Sequence, residues 1–281
     1  MDYNQFRAPP PPAGPSVLDA LPKEYVAALK RTPRGILTLH GLKKFDREKY
    51  RGTFAGVKVV TTAFPDGAHA HTQSAEGGGL ETEITTFNQQ AGDRMQGWSA
   101  EEILNVVGVH EFQHIVFADD GPDIDHCIGT YCPCHVPVVS QELVTRIQFS
   151  LVHPTRSTPG KGWMDRYLDY FALARHVAQD GTEKRLCKRA SNAATPRRQE
   201  RLANELAEHD AKVRAETTLS EAEKKLGRGM AMKAYKTAVA GLKQGASLFA
   251  KEGVFDSLDA YKAVVAKAAD YENDTTFALI P

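Results

Sequence analysis

Within Val107 to Asp120, VGVHEFQHIVFADD, the chain carries His110, Glu111 and His114 in the order His-Glu-x-x-His. On a helix, residues four apart lie one above the other on the same face, so His110 and His114 can each present a ring nitrogen to one ion. Two imidazoles so spaced form a zinc pair, and Glu111, one position after the first, would lie beside the metal, where a carboxylate can take a proton from a zinc-activated water. The helix itself is predicted locally. Ser99 followed three residues later by Glu102 is a capping-box start, and Ile103, Val106, Val107, His110, His114 and Phe117 recur at helical spacing. Both histidines then fall on the apolar stripe, where the alternative to a metal is a backbone carbonyl in the core as partner for each ring.

The elements that must position this helix are readable before and after it. Gly35 to Leu42 (GILTLHGL), Phe54 to Phe64 (FAGVKVVTTAF) and Leu80 to Phe87 (LETEITTF) are rich in β-branched residues and bounded by turn formers, and read as three strands. Between the second and third lies PDGAHAHTQSAEGGG, with His69 and His71 two apart; it reads as a flexible surface loop, placed to serve as a lid over the cleft. Val136 to Val152 is the next helix. Glu142 sits inside its apolar run, where an ionised carboxylate needs a partner, either a cation or Arg146 four residues on.

Asp119 to His135, DDGPDIDHCIGTYCPCH, joins the two helices and holds three of the four cysteines. Cys127, Cys132, Cys134 and His135 do not match a standard zinc-ribbon spacing; they suit a second, structural zinc, a disulfide, or free buried thiols, while Cys187 stands alone. Gly162 to Asp180 reads as an aromatic amphipathic helix. Beyond it come long charged helices over Arg197 to Thr217, Ser220 to Ala250 with a Ser220/Glu223 capping box, and Ser257 to Tyr271.

HEFQH at 110 to 114, with strands before it and a helix after it, resembles the zincin metallopeptidases over about residues 35 to 152. The resemblance implies an α+β fold, a small twisted sheet packed on the active-site helix with a mainly helical C-terminal part. It implies Zn2+ as cofactor, a protein or peptide substrate, and Glu111 as general base in peptide-bond hydrolysis. It also implies that the last strand before the helix, here LETEITTF, is the sheet edge to which an extended substrate adds; the other reading is an ordinary edge guarded by Glu81 and Glu83. For the third metal ligand, a metzincin-type histidine would fall at Asp120 and is excluded. A gluzincin-like pattern makes it Glu142, on the following helix. An aspzincin-like pattern makes it Asp120, although Ala118-Asp119 replaces the usual Gly-Thr; Asp119, Asp123, Asp125 and His126 complete the field. Tyr131, Tyr167 and His153 are the candidates for stabilising an oxyanion.

Composition sets the bounds. The 281 residues, 42% of them hydrophobic, suffice for one large or two modest domains. They are expected as a Pro-rich disordered tail over 1–16, a metallopeptidase core over 17–155 and a helical region over 156–281. Lys plus Arg equals Asp plus Glu, 35 each, which gives no reason to expect nucleic acid or an anionic membrane as partner. No apolar signal region or membrane span is predicted, so the expected location is cytoplasmic, or exported without a conventional signal; the oligomeric state is left open. The rival to an enzyme is a non-catalytic module in which the Cys/His loop holds structural zinc and the C-terminal helices bind a protein partner.

Overall fold

A computed structural model describes residues 21–48, 54–64, 69–74, 80–87, 98–117, 129–133, 135–153, 163–191, 193–254 and 258–267. The expected Pro-rich tail lies outside them. The first two elements are α1 (Lys23–Leu29) and α2 (Pro33–Glu48). The second corrects the strand expected over Gly35 to Leu42. Pro33 does not stop a helix but opens one, because the first helical residue has no use for its N–H. Thr32 accepts the Gly35 N–H on its hydroxyl at 3.1 Å. Ile36, Leu39 and Leu42 then fall three apart on the buried face, a spacing that β-branched Ile36 and Thr38 had disguised.

Three strands follow, β1 (Phe54–Val60), β2 (Ala70–Ser74) and β3 (Leu80–Thr85), in the order β1-β3-β2. β1 runs parallel to β3, and β2 antiparallel to it with Ala70 opposite Ile84 and Gln73 opposite Glu81. Two expectations change here. The segment read as a loop around His69 and His71 contributes a strand, and β3 is central among the described strands rather than the edge. Its alternation is as expected over four residues: Thr82 and Ile84 are buried, Glu81 and Glu83 half-exposed.

α3 (Ala100–Phe117) packs on β2 and β3 with one side and on α1, α2 and α4 with the others. The approach of α1 is close enough to require a glycine: a Cβ on Gly108 would stand 2.6 Å from the Tyr25 ring, and the Tyr25 hydroxyl donates to the Gly108 carbonyl at 3.2 Å. Buried Asn105 donates to the Ala28 and Leu29 carbonyls at 2.7 and 3.3 Å, satisfying the open C-terminal end of α1. Tyr25, Leu29, Val57, Ile84, Leu104 and Phe112 meet in the core beneath the sheet.

α4 (Val136–Val152) is deeply sunk, every residue from Leu143 to Val152 being buried. Its partner across α3 is an ion pair with no exposure at either end: Arg146 binds Glu102, stacks 4.4 Å over the Trp98 ring and donates to the Ser150 hydroxyl at 2.6 Å. Arg146 is therefore the partner of Glu102, not of Glu142. Glu102 gives its backbone N–H to the Ser99 hydroxyl at 3.1 Å, so the Ser99 half of the expected capping box is present, while the Glu102 side chain is taken by Arg146.

The remaining elements are α5 (Trp163–Asp180), α6 (Thr182–Ser191), α7 (Pro196–Glu216), α8 (Glu221–Glu252) and α9 (Leu258–Ala266). The Ser220/Glu223 capping box is present, and Gly253 ends α8 at φ 69°. A single apolar cluster joins Ile36, Leu143, Ile147 and Leu151 to Phe171, Tyr235, Leu242, Phe249 and Tyr261, so one core spans both sides of residue 155. The architecture is mostly helical with a small mixed three-stranded sheet, α+β in class. Among the described residues no helix is long and apolar enough to cross a membrane.

Candidate metal centre

His110 is the eleventh of the 18 residues of α3, and the first two turns of α4 come up beside it. Its Nδ1 donates to Glu142 Oε2 at 2.6 Å, and the other Glu142 oxygen accepts from the Tyr167 hydroxyl of α5 at 2.6 Å. On the far side of the ring, His110 Nε2 faces His135 Nε2 at 3.1 Å, the two rings standing nearly perpendicular at 79°. His135 is the N-cap of α4; its Nδ1 donates to the Thr130 carbonyl at 3.0 Å, and the Tyr170 hydroxyl lies 3.4 Å from the same nitrogen. His110 and Glu142 keep only 15% and 20% of their side-chain surface exposed, so these contacts are weakly screened.

Charge follows from that geometry. Burial works against a proton on His110, but the Glu142 hydrogen bond and negative charge outweigh it, and the pKa rises above the ordinary imidazole value. Burial likewise works against ionised Glu142, and His110 and the Tyr167 hydroxyl bring it below the usual carboxylate range. His135 is pushed down to about 4, by burial and by the neighbouring His110 charge, and is neutral at physiological pH.

Glu111 is buried beside this cluster in α3. Its charge favours a protonated His110 and, after burial itself, helps push the Tyr25 phenol well above its usual range, which puts the carboxylate within electrostatic reach of both. His114 lies four residues beyond His110 in the same helix, its side chain outside the described residues. Outside them too are the alternative ligand Asp120, with Asp119, Asp123, Asp125, His126 and Cys127, and also Cys134. Cys132 is buried with Cys187 and Leu206, and both thiols are free of disulfides. His135, grouped by sequence with those cysteines, is turned to His110 instead. Among the described residues no set of three or more His, Cys, Asp or Glu side chains is arranged to hold a metal ion.

The oxyanion candidates are all otherwise engaged. Tyr167 is committed to Glu142, the Tyr131 hydroxyl accepts from Arg214 at 3.3 Å, and His153 Nε2 meets the Arg31 carbonyl at 2.9 Å at the opposite end of α4. Tyr170 is the residue the sequence did not single out. A signal for the His135 contact did exist: His135 and Glu142 are seven apart, two helical turns, and so belong to one side of α4.

The turn that carries His135 toward α3 is held by two buried carboxyls. Tyr131 N–H donates to Glu183 Oε1 at 2.6 Å and Thr130 N–H to Asp210 Oδ2 at 2.9 Å. Burial, and then the adjacent Asp210 charge, push the Glu183 pKa up to about 8.

Comparison of the chain with protein-family models, with curated proteins and with solved structures finds no match in any of the three.

Proposed function

We propose that the protein is a zinc-dependent peptidase of zincin type, built on α3 with the sheet beside it. One observation carries the reading. Each of the facing rings spends its Nδ1–H on an oxygen that can only accept, Glu142 for His110 and the Thr130 carbonyl for His135. The two Nε2 atoms then face each other across 3.1 Å, a gap that a proton on His110, the form its Glu142 contact favours, fills in the metal-free fold and that a cation can take over. That separation is within hydrogen-bond range and is also close to the distance of about 3.3 Å between two nitrogens on a tetrahedral zinc with bonds of about 2.0–2.1 Å, so a cation can replace the proton with little movement of the rings.

When bound, zinc supplies a Lewis acid for the scissile carbonyl and brings the pKa of water toward neutrality. Glu111 accepts the proton of the attacking water and returns it to the leaving amine. Glu142 holds the His110 ring in one tautomer and orientation, Tyr167 holds Glu142, and the Tyr170 hydroxyl lies 3.4 Å from His135 Nδ1. The substrate is an extended peptide adding to β2, the antiparallel outer strand that α3 touches, rather than to β3.

The test is the Glu111→Gln variant, assayed against a mixed peptide library with mass-spectrometric readout. The amide retains shape and neighbours but not basicity, so bound zinc and the unfolding midpoint are expected to match the unaltered protein while cleavage disappears. Cleavage at an undiminished rate by Glu111→Gln would falsify the mechanism.

A further inference from the structure

Resting on the metallohydrolase reading, we infer that the third protein ligand is His135, and that Glu142 is the carboxylate behind His110 rather than a ligand. Glu142 meets the wrong nitrogen to share a metal with His110. It occupies Nδ1, and an imidazole that gives Nδ1–H to a carboxylate offers its metal-binding lone pair at Nε2, on the opposite edge of the ring. What that edge faces is His135 Nε2 at 3.1 Å. The two rings are fixed independently, His110 by α3 and Glu142, His135 by its place as N-cap of α4 and by the Thr130 carbonyl. His135 Nδ1 is engaged just as His110 Nδ1 is, so each ring has its own acceptor behind it and its Nε2 turned to the same point. Each oxygen of the Glu142 carboxylate is already engaged, one by His110 and the other by Tyr167. The set is then three imidazoles, His110 and His135 with His114 supplied by the helical spacing, and one buried carboxylate that orients the first of them. Such a set presents neutral ligands to the ion and leaves its full charge available for polarising a carbonyl or phosphoryl oxygen.

The experiment reads metal, not turnover. Zinc content after dialysis against micromolar zinc, and competition against a chromogenic chelator for affinity, are measured on the full chain and on His110→Ala, His135→Ala, Glu142→Gln and Asp120→Ala. His135→Ala is expected to lose stoichiometric zinc. Glu142→Gln should keep one zinc per chain with affinity reduced about 10–100-fold, the usual cost of removing an orienting partner. Asp120→Ala should leave affinity unchanged. X-ray absorption at the zinc edge of the unaltered protein gives an answer independent of whether any variant folds: the multiple-scattering pattern of three imidazoles supports the assignment, and that of two imidazoles with a carboxylate overturns it. Stoichiometric zinc in His135→Ala, or its loss in Asp120→Ala, also overturns it. Should the three-imidazole centre be present while no peptide is cut, the ligand assignment stands and the peptidase reading falls. A protein that takes up no zinc dependent on His110 overturns both.

Discussion

Glu183 shows how a single carboxyl can make the stability of the whole chain pH-dependent. With its pKa raised to about 8 in the fold, above the ordinary value of 4.5, it binds a proton that the unfolded chain does not hold. Its contribution is therefore fully present below about pH 4.5 and is lost as pH rises through about 8. Glu183→Gln imitates the protonated acid, still accepting the Tyr131 N–H and now able to donate toward Asp210. The variant is expected to match the parent in urea at pH 5 and to exceed it at pH 9; a parallel decline in both proteins across that range would remove Glu183 as the source. The helical setting of His110 and Glu111 was legible at residue scale, because their spacing carries its own geometry. Reading from sequence failed for Arg146, because the rule pairing residues four apart on a helix applies to an exposed face, whereas Arg146 points through the core to Glu102. The contact of His135 with His110 was not anticipated, because its neighbours Cys132 and Cys134 suggested a shared ligand set while the ring it meets stands on another helix.

Elements were legible where the pattern was local. α4, α5, α7 and α8 match their expected spans within a few residues, since amphipathic spacing and caps such as Ser220 act over a turn or two. β2 was missed because AHTQS is short, polar and set among glycines, and the central position of β3 because strand order is decided by contacts distant in sequence. Register now specifies which β2 groups face outward. The Thr85 N–H donates to the His69 carbonyl, so bonding to β3 alternates from residue 69, and the N–H groups of Ala70, Thr72 and Ser74 point away from it. Thr72→Pro removes one outward donor and none of the ladder. A several-fold rise in KM for extended peptides with an unchanged thermal midpoint is expected, and unaltered kinetics would exclude β2 as the docking edge. For the α3–α4 contact, Arg146→Met leaves the Glu102 carboxyl in the core without its cation and should cost about 3–5 kcal/mol by chemical denaturation. Adding Glu102→Leu should recover most of that, because the penalty lies in the orphaned charge.

At the level of the whole molecule, the division expected near residue 155 cuts through one core. Leu143, Ile147 and Leu151 of α4 are buried against Phe171, Tyr235, Leu242 and Phe249, and Gln148 accepts the Arg34 N–H at 2.9 Å while donating to the Ala238 carbonyl at 3.1 Å. A chain ending at residue 155 would expose that apolar face and leave Gln148 without its α8 partner. It is expected to show no cooperative unfolding transition and poor amide dispersion in NMR spectra; a sharp transition would make 17–155 an autonomous unit.

The Glu102–Arg146 pair has a further consequence for where α4 can stop along α3. Apolar side chains tolerate sliding, since one leucine fits nearly as well as the next against a smooth helical surface. Opposite charges sealed from water do not. Moving α4 by a single turn, about 5.4 Å, would separate the pair and bury two uncompensated ions. The ion pair thus acts as a detent, admitting one axial setting of the two helices, and it is that setting which delivers His135 and Glu142 to opposite edges of the His110 ring.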